Sequence, residues 1–164
     1  MAVFTGLIPG TDYWYRELTA PTGYEASSEP VKITAPDQPS NYADVTQDVT
    51  NDRYGKFQVY KEGGTLDNTG VMQPLAGAEF QYYPRLTQNP GADLLAAQQN
   101  GTLKTLGTTG AGGVLTTGEL DPGTYWVQET KAPDGYDLDT AAKEVTVTPG
   151  AGIDGYSAAV RVTF

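Results

Sequence analysis

A stretch near the start of the chain, Leu7-Ile8-Pro9-Gly10-Thr11-Asp12-Tyr13-Trp14-Tyr15-Arg16-Glu17-Leu18-Thr19-Ala20-Pro21-Thr22-Gly23-Tyr24, returns near its end as Leu120-Asp121-Pro122-Gly123-Thr124-Tyr125-Trp126-Val127-Gln128-Glu129-Thr130-Lys131-Ala132-Pro133-Asp134-Gly135-Tyr136. With Glu17 and Glu129 as matched positions the step is 112 residues. A chain of 164 residues then holds one full repeat, residues 53–164, and in residues 1–52 the C-terminal half of a preceding one. Whatever the fold, both copies must build the same substructure. The join falls in the tight Asp52-Arg53-Tyr54-Gly55 hinge.

Composition narrows the chemistry. Ten basic against twenty acidic residues give a net charge of −10, which repels nucleic acid and anionic membrane surfaces. With neither cysteine nor histidine the chain has no disulfide framework, no thiolate nucleophile and none of the commonest metal ligand or general base. No metal site, no cofactor and no turnover enzyme is expected. The Asp134-Gly135 loop matches no complete calcium-binding pattern and reads as a turn. No apolar run approaches the roughly 20 residues that span a bilayer, so no membrane insertion is expected in this segment.

Alternation predicts an all-β architecture with strands over 12–18, 30–34, 44–51, 55–62, 77–83, 102–106, 113–117, 124–130, 143–148 and 157–164. One short helix is expected over 91–100, between Pro90 and the Asn100-Gly101 stop, and Glu62-Gly63-Gly64 reads as a turn. Side chains on a strand point to opposite faces in turn. Lys61 therefore travels with Phe57 and Val59, Glu129 with Tyr125 and Val127, Glu17 with Tyr13 and Tyr15, and Asn51 with Val45 and Val49. The alternative places Glu17, Glu129 and Lys61 on the solvent face. Trp14 and Trp126 fit packing on a strand face better than a sugar-binding platform.

A lysine, a glutamate and an asparagine on the inner faces of sandwich strands are the ingredients of a self-made amide bond. Burial disfavours charge on amine and carboxyl alike, so the two can coexist in neutral forms. The amine is then a nucleophile toward the carboxamide carbon, the acid polarises the oxygen and moves protons, and fixed geometry supplies a large effective concentration. Such a bond forms once, releasing ammonia.

The combination Leu120-x-Pro122-Gly123-x-Tyr125, Glu129-Thr130-x-Ala132-Pro133-x-Gly135-Tyr136 and the upstream Pro74-Leu75-Ala76-Gly77-Ala78-Glu79-Phe80 resembles the Cna protein B-type (SpaA-like, prealbumin-like) domains of Gram-positive pilins and surface adhesins. The resemblance implies an immunoglobulin-like or transthyretin-like (prealbumin-like) β-sandwich, in an extracellular, cell-wall-anchored protein. It further implies a lysine–asparagine isopeptide bond between first and last strands, promoted by the glutamate of the Glu-Thr-x-Ala-Pro motif. Carried over by position, Glu129 and Glu17 are the promoting acids, Lys61 the amine donor of the second unit and Asn51 the acceptor of the first.

Two departures follow. The lysine partner of Asn51 is expected upstream of Met1. Aligning Val49-Thr50-Asn51 with Val162-Thr163-Phe164, which takes one residue of insertion over the 112-residue step, puts Phe164 at the acceptor position of the second unit, unless the acceptor lies just beyond it. Lys56 is the weaker donor candidate, since its side alternates with Phe57. The implied function is a stalk or shaft repeat whose partners are neighbouring repeats of the same polypeptide, with host matrix or glycan reached through a distal domain. The alternative is a module that itself binds host matrix protein or glycan.

Overall fold

The computed structural model describes residues 3–37, 45–63, 71–153 and 159–164, and the chain divides into two compact units, Met1–Asp52 and Arg53–Phe164. In the first unit, β1 (Asp12–Tyr15) and β2 (Val31–Thr34) form an antiparallel pair with Tyr13 opposite Ile33 and Tyr15 opposite Val31. These four apolar residues are half-buried, while Trp14 between the two tyrosines is 63% exposed. Asp12 ties the pair laterally, accepting the Thr34 hydroxyl at 2.8 Å and facing Lys32 at 2.8 Å. The strand expected over 44–51 is not formed in residues 45–51, where Val45 and Val49 are exposed. Alternation alone cannot make a strand: its backbone needs a neighbour to complete a ladder, and β1 and β2 are paired only with each other among the described residues.

In the second unit the strands are β3 (Phe57–Tyr60), β4 (Glu62–Gly63), β5 (Gln73–Pro74), β6 (Glu79–Pro84), β7 (Lys104–Thr108), β8 (Val114–Thr116), β9 (Gly123–Lys131), β10 (Lys143–Val147) and β11 (Val160–Thr163). A four-stranded sheet runs β10-β9-β6-β7, and a three-stranded sheet runs β11-β3-β8 with β11 parallel to β3. Glu62 and Gly63, expected in a turn, instead pair with Pro74 and Gln73 in a small ribbon.

The core lies between the two larger sheets. Phe57, Val59 and Val162 meet Phe80, Val127, Val145 and Val147, with Phe164 closing one end. Each such side chain contributes roughly 1.5–3 kcal/mol on burial. The β6–β7 register slips at Phe80, whose partner Gly107 has φ 125°, a conformation that a side chain would strain.

The helix α1 (Pro90–Asn100) connects β6 to β7. Asn89 caps it by accepting the Gly91 and Ala92 N–H groups at 3.1 and 3.2 Å, Pro90 occupies its first turn, and Gly101 ends it at φ 71°. Its buried Ala97 packs with Tyr83 and Trp126. That cover explains why Trp126 is buried although its neighbour Val127 faces the other side of the sheet.

The repeat persists in detail. Tyr13↔Ile33, Trp14↔Lys32 and Tyr15↔Val31 in β1–β2 become Tyr125↔Val145, Trp126↔Glu144 and Val127↔Lys143 in β9–β10. The Ala-Pro-x-Gly-Tyr turns match as well: Tyr24 N–H bonds Pro21 O and Tyr136 N–H bonds Pro133 O, each at 3.1 Å, with Gly23 and Gly135 at φ 86° and 84°. Both turns need glycine at the third residue of Pro-x-Gly-Tyr.

Candidate functional site

In the second unit the alternation that buries Phe57 and Val59 continues past β3 to Lys61, 6% exposed, and the alternation of β9 brings Glu129 inside at 2%. Their side chains meet, with Lys61 Nζ 2.8 Å from Glu129 Oε1. Among the described residues this oxygen takes no other donor, and the ammonium is its compensation there. The other oxygen, Oε2, accepts the Asp139 backbone N–H at 2.8 Å. Two buried charges held this way are stable only as a pair.

Phe164 occupies the place across from Lys61. Its N–H donates to Tyr60 O at 2.8 Å and its carbonyl accepts from Glu62 N–H at 2.9 Å, so the two bonds bracket Lys61 and continue the parallel β3–β11 register by one residue. Residues opposed in a parallel ladder share a face. The ring packs in the core, 4.9 Å from that of Phe80. Lys56 precedes β3 and is half-buried; the cation at Glu129 is Lys61.

The first unit holds the complementary pieces. Glu17 and Asn51, both half-buried, are joined by a hydrogen bond from Asn51 Nδ2 to Glu17 Oε2. The same nitrogen donates to Glu25 O at 2.8 Å, and the Ser27 N–H donates to Glu17 Oε2 at 3.3 Å. Ser27 stands ten residues after Glu17 as Asp139 stands ten after Glu129. The same backbone device thus orients both glutamates. One faces a carboxamide, the other an ammonium.

Three further charged residues were not singled out in the sequence. Asp93, buried on α1, accepts the Trp126 indole N–H at 2.9 Å, the Leu86 and Thr87 N–H groups at 3.0 and 2.9 Å, and the Thr87 hydroxyl at 2.8 Å. Burial alone would raise its pKa, but the bonds from Thr87, Trp126 and Leu86 outweigh it and hold the carboxyl below the ordinary aspartate value. Asp139 and Lys143 form an ion pair of 3.3 Å beside Glu129. The Ala141 N–H bond, then Lys143, lower the Asp139 pKa against its slight burial, with a further contribution from Lys61. Comparing the two copies would have flagged this pair, since Ser27 and Val31 stand at the corresponding places.

No cluster of acidic side chains suited to a metal ion occurs among the described residues. No curated protein matches the chain. Among solved structures it is similar to BcpA, the major pilin subunit of Bacillus cereus, at 26% identity over 68% of this chain and 28% of that one, TM-score 0.47. It is also similar to the full-length major pilin SpaD of Corynebacterium diphtheriae, at 25% over 68% and 31%, TM-score 0.42. A third is the minor pilin GBS52 of Streptococcus agalactiae, at 19% over 98% and 61%, TM-score 0.46. The chain spans less than a third of the length of BcpA or SpaD. The family model described as SpaA, prealbumin-like fold domain, matches residues 1–53 and 55–155. With that match running over nearly its whole length, the chain belongs to the SpaA family of prealbumin-like fold domains.

Proposed function

We propose that this chain is a structural segment of a Gram-positive surface stalk or pilus shaft, displayed outside the cell in a wall-anchored protein and stiffened where a lysine and an asparagine join. The observation that supports this is the contact between Glu17 and the amide nitrogen of Asn51, in the place where the matched Glu129 meets Lys61 one repeat later. A neutral lysine amine delivered beside Asn51 attacks Cγ. The new C–N bond forms, the Cγ–Nδ2 bond breaks, and a proton from the amine passes through the Glu17 carboxyl to Nδ2, which departs as ammonia. Glu17 already holds the departing atom. The step consumes its own residues and does not turn over.

The second unit has acid and amine but a phenyl ring where the carboxamide belongs, so Lys61 and Glu129 persist as an ion pair. Its partners are the adjoining units of the same polypeptide, and contacts to host matrix or glycan belong to a distal domain. The test supplies the missing amine. A synthetic peptide of residues 54–62, whose Lys61 lies on the donor strand of the second unit, is incubated with the chain and the products are weighed intact. The expected product is chain plus peptide less one ammonia, lost in Asn51→Ala and in Glu17→Ala. Peptide that binds without any covalent product overturns the proposal.

A further inference from the structure

The two units differ at three corresponding places whose residues meet at Lys143 in the second unit. Where the first has Ser27, Val31 and Asn51, the second has Asp139, Lys143 and Phe164. The match of Val31 with Lys143 is fixed by register, each standing opposite the corresponding residue of the neighbouring strand, Tyr15 or Val127. That of Ser27 with Asp139 is fixed by their N–H bonds to Glu17 and Glu129.

In the second unit these substitutions converge on one atom. Lys143 Nζ lies 3.3 Å from Asp139 Oδ2, donates to Thr163 O at 3.0 Å and sits 4.1 Å from the centroid of the Phe164 ring. Lys143 opens β10 in the four-stranded sheet, whereas Thr163 ends β11 in the three-stranded sheet and Phe164 follows it. The ammonium therefore spans the two sheets at the edge where, among the described residues, the last strand's backbone pairs with β3 alone and its remaining hold is the packing of Val162 and Phe164 in the core. Asp139 positions it and is itself fixed through its backbone N–H to Glu129. Val31 can make none of these contacts, lacking both charge and donor.

We propose that Lys143 is a clasp, working by ion pair, carbonyl hydrogen bond and cation–π contact, that anchors the last strand in the unit whose acceptor position carries phenylalanine. The clasp takes the place of a covalent tie. This deepens the stalk reading, in which the last strand carries load, but its chemistry is independent of amide formation: absence of a peptide adduct at Asn51 leaves it standing, and its own failure leaves that adduct unaffected.

The test is amide hydrogen exchange on the whole chain. Lys143→Met keeps the apolar stem and removes the charge; Lys143→Arg keeps cation and donors. Lys143→Met should speed exchange at the Val162 and Phe164 amides about tenfold while the β6 and β9 amides keep their protection, and Lys143→Arg should retain most of the protection at β11. In a Phe164→Leu background the Lys143→Met effect should shrink, because the ring is one of the partners removed. Unchanged β11 exchange in Lys143→Met, or an equal loss across β6, β9 and β11, overturns the clasp. So does an effect of undiminished size in the Phe164→Leu background.

Discussion

At the scale of single residues the decisive feature is a charge pair with almost no water. Lys61 and Glu129 side chains are 8% and 0% exposed, and among the described residues Glu129 Oε1 depends on the ammonium alone. Removing one partner strands the other charge in the core, a cost of about 3–5 kcal/mol, whereas replacing both by groups of similar shape is often neutral or better. Glu129→Gln keeps an acceptor for the Asp139 N–H and cancels only the charge. Urea unfolding should therefore show Glu129→Gln and Lys61→Met each strongly destabilised, and Lys61→Met/Glu129→Gln restored by more than half of the summed loss. Additive losses in the double variant would mean that the two side chains act separately. Period-two patterning made this pair legible: Phe57-x-Val59-x-Lys61 and Tyr125-x-Val127-x-Glu129 each carry a polar residue along an apolar face. The identity of the nearby Asp139–Lys143 pair was not legible from patterning, because it depends on how a loop between strands folds back.

At the scale of elements, α1 is the part whose role the sequence concealed. Its capping residues marked a short helix, but alternation placed Trp126 on the outer side of β9, and only packing shows that α1 covers that side. Asp93 is the fastener, accepting bonds from the indole of β9 and from the loop that leads into the helix. Its folded-state pKa lies below the ordinary value, so the unfolded chain binds the proton more readily. The stability it contributes is complete above the ordinary aspartate pKa of about 3.9 and is lost as pH falls from there through the lower folded value. In a Trp14→Phe background, where Trp126 is the sole indole, its emission should shift to the red as that range is crossed. Asp93→Asn should show the shifted emission at neutral pH. An emission maximum unchanged to pH 2 in the parent would show that Asp93 does not hold the helix down. The missing strand over 45–51 has the same lesson in reverse: Val45 and Val49 carry the right pattern, but a ladder needs a neighbour, and pattern does not reveal whether one is present.

At the scale of the whole molecule, the second unit begins and ends on adjacent parallel strands, β3 and β11. Tension entering at the start of β3 and leaving at the end of β11 shears their ladder, loading its hydrogen bonds together, and residue 164 lies directly across from Lys61. A covalent link between those two positions would carry the force from one strand to the other, and residues 62–163 would bear none of it. On the proposed reading Lys61 is the amine and Glu129 the acid of the linking reaction; the two are in contact, and the Phe164 ring lies in the core at the position that reading gives to the acceptor. Phe164→Asn is therefore expected to lose one ammonia in intact mass without added reagent, and to keep its full mass when Lys61→Ala or Glu129→Ala is added. Pulled through its ends, the linked unit should give almost none of the extension that the parent releases on unfolding. The exchange also removes the ring beneath Lys143, so a folded Phe164→Asn protein that kept its full mass should be weaker than the parent. That outcome would show that facing Lys61 in the ladder does not bring a carboxamide within reach of its amine.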